Sequence, residues 1–191
     1  MTRALFLAPH NDDETLFGAF TLLRYQPFVV VCFRSERMNG SLYPGGPSVD
    51  FQARERETAC AMQVLGCKWH QWAIADSVDE PETVEAFMWG LRDPAGADDW
   101  DVVFAPAVEE SGNPQHNLIG ELAEKVFSDV QIVNYLTYTV EGRSRWSAEV
   151  EFEPEWVAKK LSALACYSSQ AGHPATRAHF LDSGLREYVE L

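Results

Sequence analysis

Basic residues are scarce in this sequence, and the deficit limits which partners the protein can bind. Of its 191 residues, 15 are lysine or arginine and 29 are aspartate or glutamate, which gives a net charge of −14. A surface this acidic argues against broad binding to nucleic acid or to anionic membranes, because both carry dense negative charge. A local basic pocket remains compatible with the overall charge.

The sequence also lacks a long apolar run. No stretch approaches the roughly 20 apolar residues that span a bilayer, so we expect no membrane insertion. Arg3 is followed by only five apolar residues before Pro9 and His10, which is shorter than the apolar core of a signal peptide.

Cysteine is infrequent and shows no motif. Cys32, Cys60, Cys67 and Cys166 form no Cys-x-x-Cys pair, which argues against a thiolate zinc site or a thioredoxin-type centre. Cys32 lies in an apolar run and Cys60 in a helix-like stretch, so we predict buried free thiols. Reduced thiols are typical of the cytoplasm, and we therefore expect a cytoplasmic protein.

A glycine-rich phosphate loop is missing as well. The turn after the first apolar run carries acids where a Gly-x-Gly-x-x-Gly motif would hold a pyrophosphate. Negative charge at that position repels phosphate, so the pattern argues against NAD or FAD binding.

Apolar runs alternate with helical patterns along the chain. Such alternation predicts a Rossmann-like three-layer α/β sandwich, with a mainly parallel sheet and helices on both faces. Length and composition are typical of one globular domain over residues 1–191. Beyond the first apolar run, which starts at Ala4, the predicted strands are 28–33, 68–74, 102–105, 131–140 and 187–191, and the predicted helices are 15–25, 50–65, 81–92, 118–127 and 155–167.

The most distinctive segment follows the first apolar run, where His10 precedes Asp12, Asp13 and Glu14. Crowded carboxylates raise one another's pKa unless a cation lies among them, and imidazole offers a nitrogen ligand. In open α/β sheets the carboxyl end of a strand is where ligands bind, so the segment predicts a catalytic zinc site. The alternative is that the acids only complement a helix dipole, which leaves His10 unexplained.

Residues 8–14, Ala-Pro-His-Asn-Asp-Asp-Glu, resemble the Ala-His-Pro-Asp-Asp-Glu signature of the PIG-L/LmbE-like zinc deacetylases. Those enzymes remove N-acetyl groups from GlcNAc-containing glycoconjugates. The resemblance implies that His10 and Asp13 bind zinc, that Asp12 is the general base, and that Glu14 is structural. Zinc lowers the pKa of its water to about 7, and Asp12 would accept that proton and pass it to the leaving amine.

Residues 113–120 resemble the family's second signature, His-Pro-Asp-His followed by a helix. The resemblance makes His116 the third zinc ligand; the alternative is a solvent-facing residue in the first helical turn. Asn113 stands where the family has an oxyanion-stabilising histidine, and Gln115 replaces the supporting aspartate. Either the Asn113 amide donates to the oxyanion, or the enzyme is impaired or uses another donor such as His70 or His173. Asn113 also suits a helix N-cap.

Weaker likenesses extend the resemblance to residue 170. The helix that contains Arg54 resembles the family's Arg-x-x-Glu helix, which implies that Arg54 faces the substrate; the alternative is a solvated helix face. Asp76 resembles an acid that binds sugar hydroxyls, with a loop or cap residue as the alternative. Residues 160–170 resemble a Lys-x-x-Ala-Leu helix that ends in Ser-Gln, with Tyr167 where a histidine is common.

We therefore predict a zinc-dependent hydrolase that removes an N-acetyl or similar N-acyl group from a small amino-sugar conjugate. One alternative is a catalytically impaired relative that binds metal and sugar conjugates. Another is a magnesium phosphohydrolase, which two histidine ligands make less fitting. A homo-oligomer is compatible with the sequence, which does not determine the oligomeric state.

Overall fold

A mainly parallel sheet forms the centre of the protein, which we describe from a computed structural model. The structure describes residues 2–34, 50–75, 77–92, 100–137, 147–171 and 186–190. The predicted site residue Asp76 and the alternative donor His173 lie outside these ranges.

Seven strands form one sheet in the order β3-β2-β1-β4-β5-β7-β6. The first five pair in parallel, whereas β7 pairs antiparallel with both β5 and β6. The predicted mainly parallel α/β sheet is confirmed; β6 was not predicted, because three residues carry too little pattern to detect. The strands are β1 Ala4–Ala8, β2 Phe28–Arg34, β3 Trp69–Ala75, β4 Val102–Pro106, β5 Gln131–Tyr135, β6 Ser147–Glu149 and β7 Tyr188–Glu190.

Helices connect the strands, and one of them, α3 (Phe51–Leu65), is capped at both ends. Asp50 accepts a hydrogen bond from the Gln52 amide at the start of α3, and Gly66 ends the same helix at a φ of 79°. The helix predicted over 15–25 is instead two short helices, separated where Gly18 packs against Phe6. The helices are α1 Asp13–Leu16, α2 Ala19–Tyr25, α3 Phe51–Leu65, α4 Pro81–Gly90, α5 Pro114–Val126, α6 Pro154–Leu164 and α7 Ser168–Ala171.

Alternating side chains of β1 divide the core into two layers. Leu5 and Leu7 pack with α4 and α5 on one face of the sheet, whereas Phe6 packs with α2, α3 and α6 on the other. All five residues of β1 are buried, as the continuous apolar run predicted. Because β1 is packed on both faces, it also fixes the position of the polar segment that follows it.

The cysteine prediction is wrong in one respect. Cys60 of α3 forms a disulfide with Cys166 at the end of α6, with Cα atoms 5.8 Å apart, while Cys32 and Cys67 are free. The pairing depends on two helices, distant in sequence, packing side by side, which cysteine spacing does not reveal. The argument from reduced thiols to a cytoplasmic location therefore loses its support. Within the described residues, no helix has the length and apolar character needed to cross a membrane.

A buried ion pair attaches the C-terminal strand to the N-terminal helices. The Lys160 ammonium lies 2.8 Å from Glu187 Oε1, and both side chains are fully buried. Lys160 also donates to the Leu16 carbonyl, and Glu187 accepts from the amides of Phe20 and Thr21 at the start of α2. Because both charges are fully buried, removal of one side chain would leave the other without its compensating charge.

Replacement of Lys160 by methionine is expected to destabilise the fold. Loss of one partner from a buried ion pair typically costs about 3–5 kcal/mol, measured as the free energy of unfolding in urea. The double variant Lys160→Met with Glu187→Gln should recover part of the loss. Lys125→Met, which removes an exposed pair with Glu85, should leave the unfolding midpoint nearly unchanged. A Lys160→Met protein as stable as the wild type would contradict this role.

Candidate metal centre

The candidate site lies where the direction of the chain across the sheet reverses. From β1 the chain continues to β2 on one side, while β4 pairs with the other side of β1. In open α/β sheets the carboxyl ends of the strands at such a switch point form a crevice. His10, Asp12 and Asp13 follow β1, and His116 lies in the first turn of α5, after β4.

Three predicted ligands converge in this crevice. Asp13 Oδ2 lies 3.1 Å from His10 Nδ1 and 3.1 Å from His116 Nε2, and the two imidazole nitrogens are 3.3 Å apart. The three residues offer ligand atoms that all lie within 4.8 Å of one another. His116 is buried, so it is not the solvent-facing helix residue of the alternative interpretation.

The dimensions of this triangle fit a tetrahedral metal site. Zinc–nitrogen and zinc–oxygen bonds of about 2.0–2.1 Å at tetrahedral angles place neighbouring ligand atoms roughly 3.3 Å apart. The observed edges of 3.1–3.3 Å are close to this value. Asp13 Oδ1 is buried and has no hydrogen-bond partner among the residues that the structure describes. A buried carboxylate oxygen without a donor also fits the approach of a cation.

Asp13 is held in its ionised form. Burial opposes ionisation, but the charge and hydrogen bond of His116, together with those of His10, bring the pKa of Asp13 well below its usual range. The His10 amide also donates to Asp13 Oδ2 at 2.8 Å. An anionic carboxylate between two imidazoles is a donor set suited to a divalent metal.

Asp12, next to this triangle, is held in an unusual backbone conformation. Its φ of 101° is in the left-handed region, where a residue with a side chain costs of the order of 1–3 kcal/mol unless its surroundings fix it. Its amide donates to Glu14 Oε2 at 3.0 Å. Its own carboxylate lies 3.2 Å from the Arg54 guanidinium. Burial raises the pKa of Asp12 to about 6, against the opposing charge of Arg54.

Glu14, the last acid of the signature, is fully buried next to Asp12. Glu14 accepts hydrogen bonds from the Tyr167 hydroxyl and from the Thr15 hydroxyl. Burial raises the pKa of Glu14 to about 7. Tyr167, which stands where a histidine is common in the family, thereby joins the end of α6 to the segment that contains the candidate base.

Asn11 has a larger structural role than the sequence suggested. Its side chain is fully buried and donates to Thr58 of α3 at 2.8 Å. It exchanges two hydrogen bonds with the Gln71 amide of β3, each 3.1 Å long. Asn11 stands where the family signature has its proline, whose side chain forms no hydrogen bonds, so the resemblance indicated no partners for it.

A close approach between α5 and β4 positions His116. Gly120 lies one turn after His116, and a Cβ added there would come within 2.5 Å of the Pro106 carbonyl oxygen. Asn113 caps this helix, since its side-chain oxygen accepts from the Gln115 amide at 2.9 Å. That bond uses the oxygen of the side-chain amide and not its two N–H donors. The role of Gly120 was missed, because one glycine within a helical pattern indicates no partner.

The remaining predicted residues differ in their placement. Arg54 is buried and bonds to Asp12 and to the Asn11 carbonyl, so its alternative as a solvated helix residue does not hold. Its contact with substrate stays a prediction. His70 lies on edge strand β3 and is exposed. It pairs in register with Val30, in the middle of β2, and is not among the three clustered ligands.

The fold and ligand set together define an α/β protein with a candidate divalent-metal centre at a strand switch point. The family model of the GlcNAc-PI de-N-acetylases, PIG-L, matches residues 5–127, well over half of the chain. The chain therefore belongs to this family, which confirms the resemblance found in its opening segment. No curated protein matches the sequence significantly.

Solved structures share the fold at low sequence identity. The zinc-inhibited form of teicoplanin deacetylase Orf2 has a TM-score of 0.74 and 16% identity, covering 99% of this chain and 97% of that one. N,N'-diacetylchitobiose deacetylase from Pyrococcus horikoshii has a TM-score of 0.66 and 17% identity, with coverage of 96% and 75%. The 4-carboxy-2-hydroxymuconate hydratase GalB from Pseudomonas putida has a TM-score of 0.72 and 16% identity, with coverage of 95% and 84%.

Replacement of His116 by alanine is expected to abolish tight zinc binding. Changes in residues that only support metal ligands already cost 10–100-fold in affinity, so loss of a ligand should cost at least about 100-fold. Isothermal titration with zinc, in competition with a chelator of known affinity, measures the change. His70→Ala removes an exposed histidine and serves as the matched control, with unchanged affinity. Wild-type affinity in His116→Ala would exclude this ligand set.

Proposed function

We propose that this protein is a zinc-dependent hydrolase that removes an N-acetyl or similar N-acyl group from a small amino-sugar conjugate. Membership of the de-N-acetylase family supports the reaction class. One observation carries the proposal: a buried acid, Asp12, adjoins a histidine–carboxylate–histidine triangle of tetrahedral dimensions. That combination serves amide hydrolysis, which needs both an activated water and a proton carrier.

The donor set of His10, Asp13 and His116 favours zinc over magnesium. Two nitrogens and one carboxylate suit zinc, whereas magnesium prefers an octahedral shell of oxygens. When bound, zinc would lower the pKa of a water and polarise the acyl carbonyl. A solved relative of the same fold is described as zinc-inhibited, so titrations should include substoichiometric as well as excess zinc.

Asp12 is suited to accept and return a proton. Its left-handed backbone, its amide bond to Glu14 and its contact with Arg54 restrict the orientation of the carboxylate. We assign Asp12 as the group that takes a proton from the attacking water and delivers it to the leaving amine. Arg54 orients that carboxylate, and we retain it as a substrate-binding candidate together with Asp76.

Asn113 is the candidate donor to the oxyanion. The helix cap uses its side-chain oxygen, so the N–H donors of the amide stay compatible with this role. The same cap also supports the alternative function, a family member that binds metal and sugar conjugates without turnover, in which Asn113 is purely structural. Turnover by the wild type excludes this alternative. Asn113→Asp keeps the capping oxygen but removes the N–H donors, and should then lower kcat by about 10²–10³ because one oxyanion donor is lost.

Acetate release from a panel of N-acetylated amino-sugar conjugates tests the reaction. Asp12→Asn should lower kcat by about 10²–10⁴ while the bound zinc stays stoichiometric. Asp129→Asn, an exposed acid paired with Arg92, is the control and should retain full activity. Undiminished acetate release by Asp12→Asn would refute the assignment of the base. Binding of the conjugates with no turnover by the wild type would favour the alternative.

A further inference from the structure

Arg34 lies at the same carboxyl-end edge of the sheet as the candidate metal centre, and its side chain makes no ion pair or hydrogen bond within the described residues. It is the last residue of β2, at the edge of the sheet where the centre lies. Within the described residues, its guanidinium stacks on Phe51, with the guanidinium carbon 3.3 Å from the ring centroid. Its Nε is buried and has no hydrogen-bond partner there. A buried donor without an acceptor calls for an explanation.

Two sets of contacts connect the end of β2 to the centre. The Phe33 amide donates to the Pro9 carbonyl at 2.8 Å, and the ring of Phe33 lies 5.9 Å from that of His10. On the other side, Phe51 precedes Arg54 by three residues on α3. Residues three apart share one face of a helix, so the surface under Arg34 adjoins the arginine that contacts Asp12.

The stack on Phe51 does not account for the hydrogen-bond donors of the Arg34 side chain. It attracts the cation to the ring face and restricts the guanidinium. However, the five N–H donors lie in the guanidinium plane, and the stack itself supplies no acceptor for them. The protein has a net charge of −14, so carboxylates are plentiful, yet none of those described pairs with Arg34. Arg54 Nη1 is likewise buried without a described hydrogen-bond partner.

We propose that Arg34 binds an anionic group of the substrate, a carboxylate or a phosphate monoester, while the acyl group lies at the metal centre. A guanidinium pre-oriented by an aromatic face suits bidentate recognition of either oxyanion. This inference rests on the proposed function for the identity of the acylated sugar and adds the charge that the sugar carries. It makes Arg34 and its platform Phe51 the specificity determinants of the site.

Ligand pairs that differ in charge test this inference. N-acetylglucosamine 6-phosphate and N-acetylmuramic acid are compared with neutral N-acetylglucosamine by titration calorimetry on the zinc-loaded protein. The wild type should bind at least one charged ligand about tenfold or more tightly than the neutral one, as a charge-assisted hydrogen bond implies. The two charged ligands distinguish phosphate from carboxylate as the preferred group.

Substitutions locate the source of any charge preference. Arg34→Gln should remove the preference for charged ligands. Arg34→Lys should keep only part of that preference, because lysine lacks the planar guanidinium that forms bidentate hydrogen bonds. Phe51→Leu retains the charge of Arg34 but removes the aromatic ring on which it stacks, so it should weaken the charge preference. This variant tests the inference independently of whether Arg34→Gln folds. Arg56→Gln, an exposed arginine of the same helix, is the control and should keep the charge preference.

Absence of a charge preference in the wild type would overturn the inference. So would its persistence in folded Arg34→Gln or, where that variant does not fold, in Phe51→Leu. A preference lost equally in Arg56→Gln would also overturn it, because the effect would then reflect overall charge. The outcome is independent of turnover. Acetate release without a charge preference refutes only the role of Arg34, whereas a charge preference without acetate release refutes only the proposed reaction.

Discussion

The site depends on the convergence of one carboxylate and two imidazoles from two neighbouring strand ends. Asp13 Oδ2 lies 3.1 Å from a nitrogen of each histidine, although His10 and His116 are 106 residues apart. This geometry exists because β1 and β4 are adjacent and parallel, so that their carboxyl ends meet at one edge. The missing Cβ of Gly120 then lets α5 approach β4 closely enough for His116 to reach Asp13.

Around this triangle, buried polar groups hold the candidate base in place. Glu14 accepts a hydrogen bond from the Asp12 amide at one carboxylate oxygen and from the Tyr167 hydroxyl at the other. Glu57 of α3 accepts hydrogen bonds from Ser168 and Ser169, and the Cys60–Cys166 disulfide joins the same two regions. The left-handed conformation of Asp12 persists because these contacts fix its surroundings.

Much of the fold, and the three candidate ligands that the structure brings together, could be predicted from short sequence patterns. The apolar run of β1 and the caps at Asp50 and Gly66 all act within a few residues. Sequence patterns could not predict the disulfide, the hydrogen bonds of Asn11 or the helix contact at Gly120, because the partners in each are distant in sequence. Arg34 shows the same limit: its lack of an acidic partner among the described residues is a property of the folded chain.

The coordination shell of the bound metal tests the central claim most directly. X-ray absorption spectroscopy at the zinc edge on protein loaded with one equivalent reports the ligand types and distances. Our account predicts a shell of nitrogen and oxygen at about 2.0–2.1 Å with the scattering pattern of two imidazoles. A shell that contains sulfur, or one of oxygen alone without imidazole scattering, would contradict it.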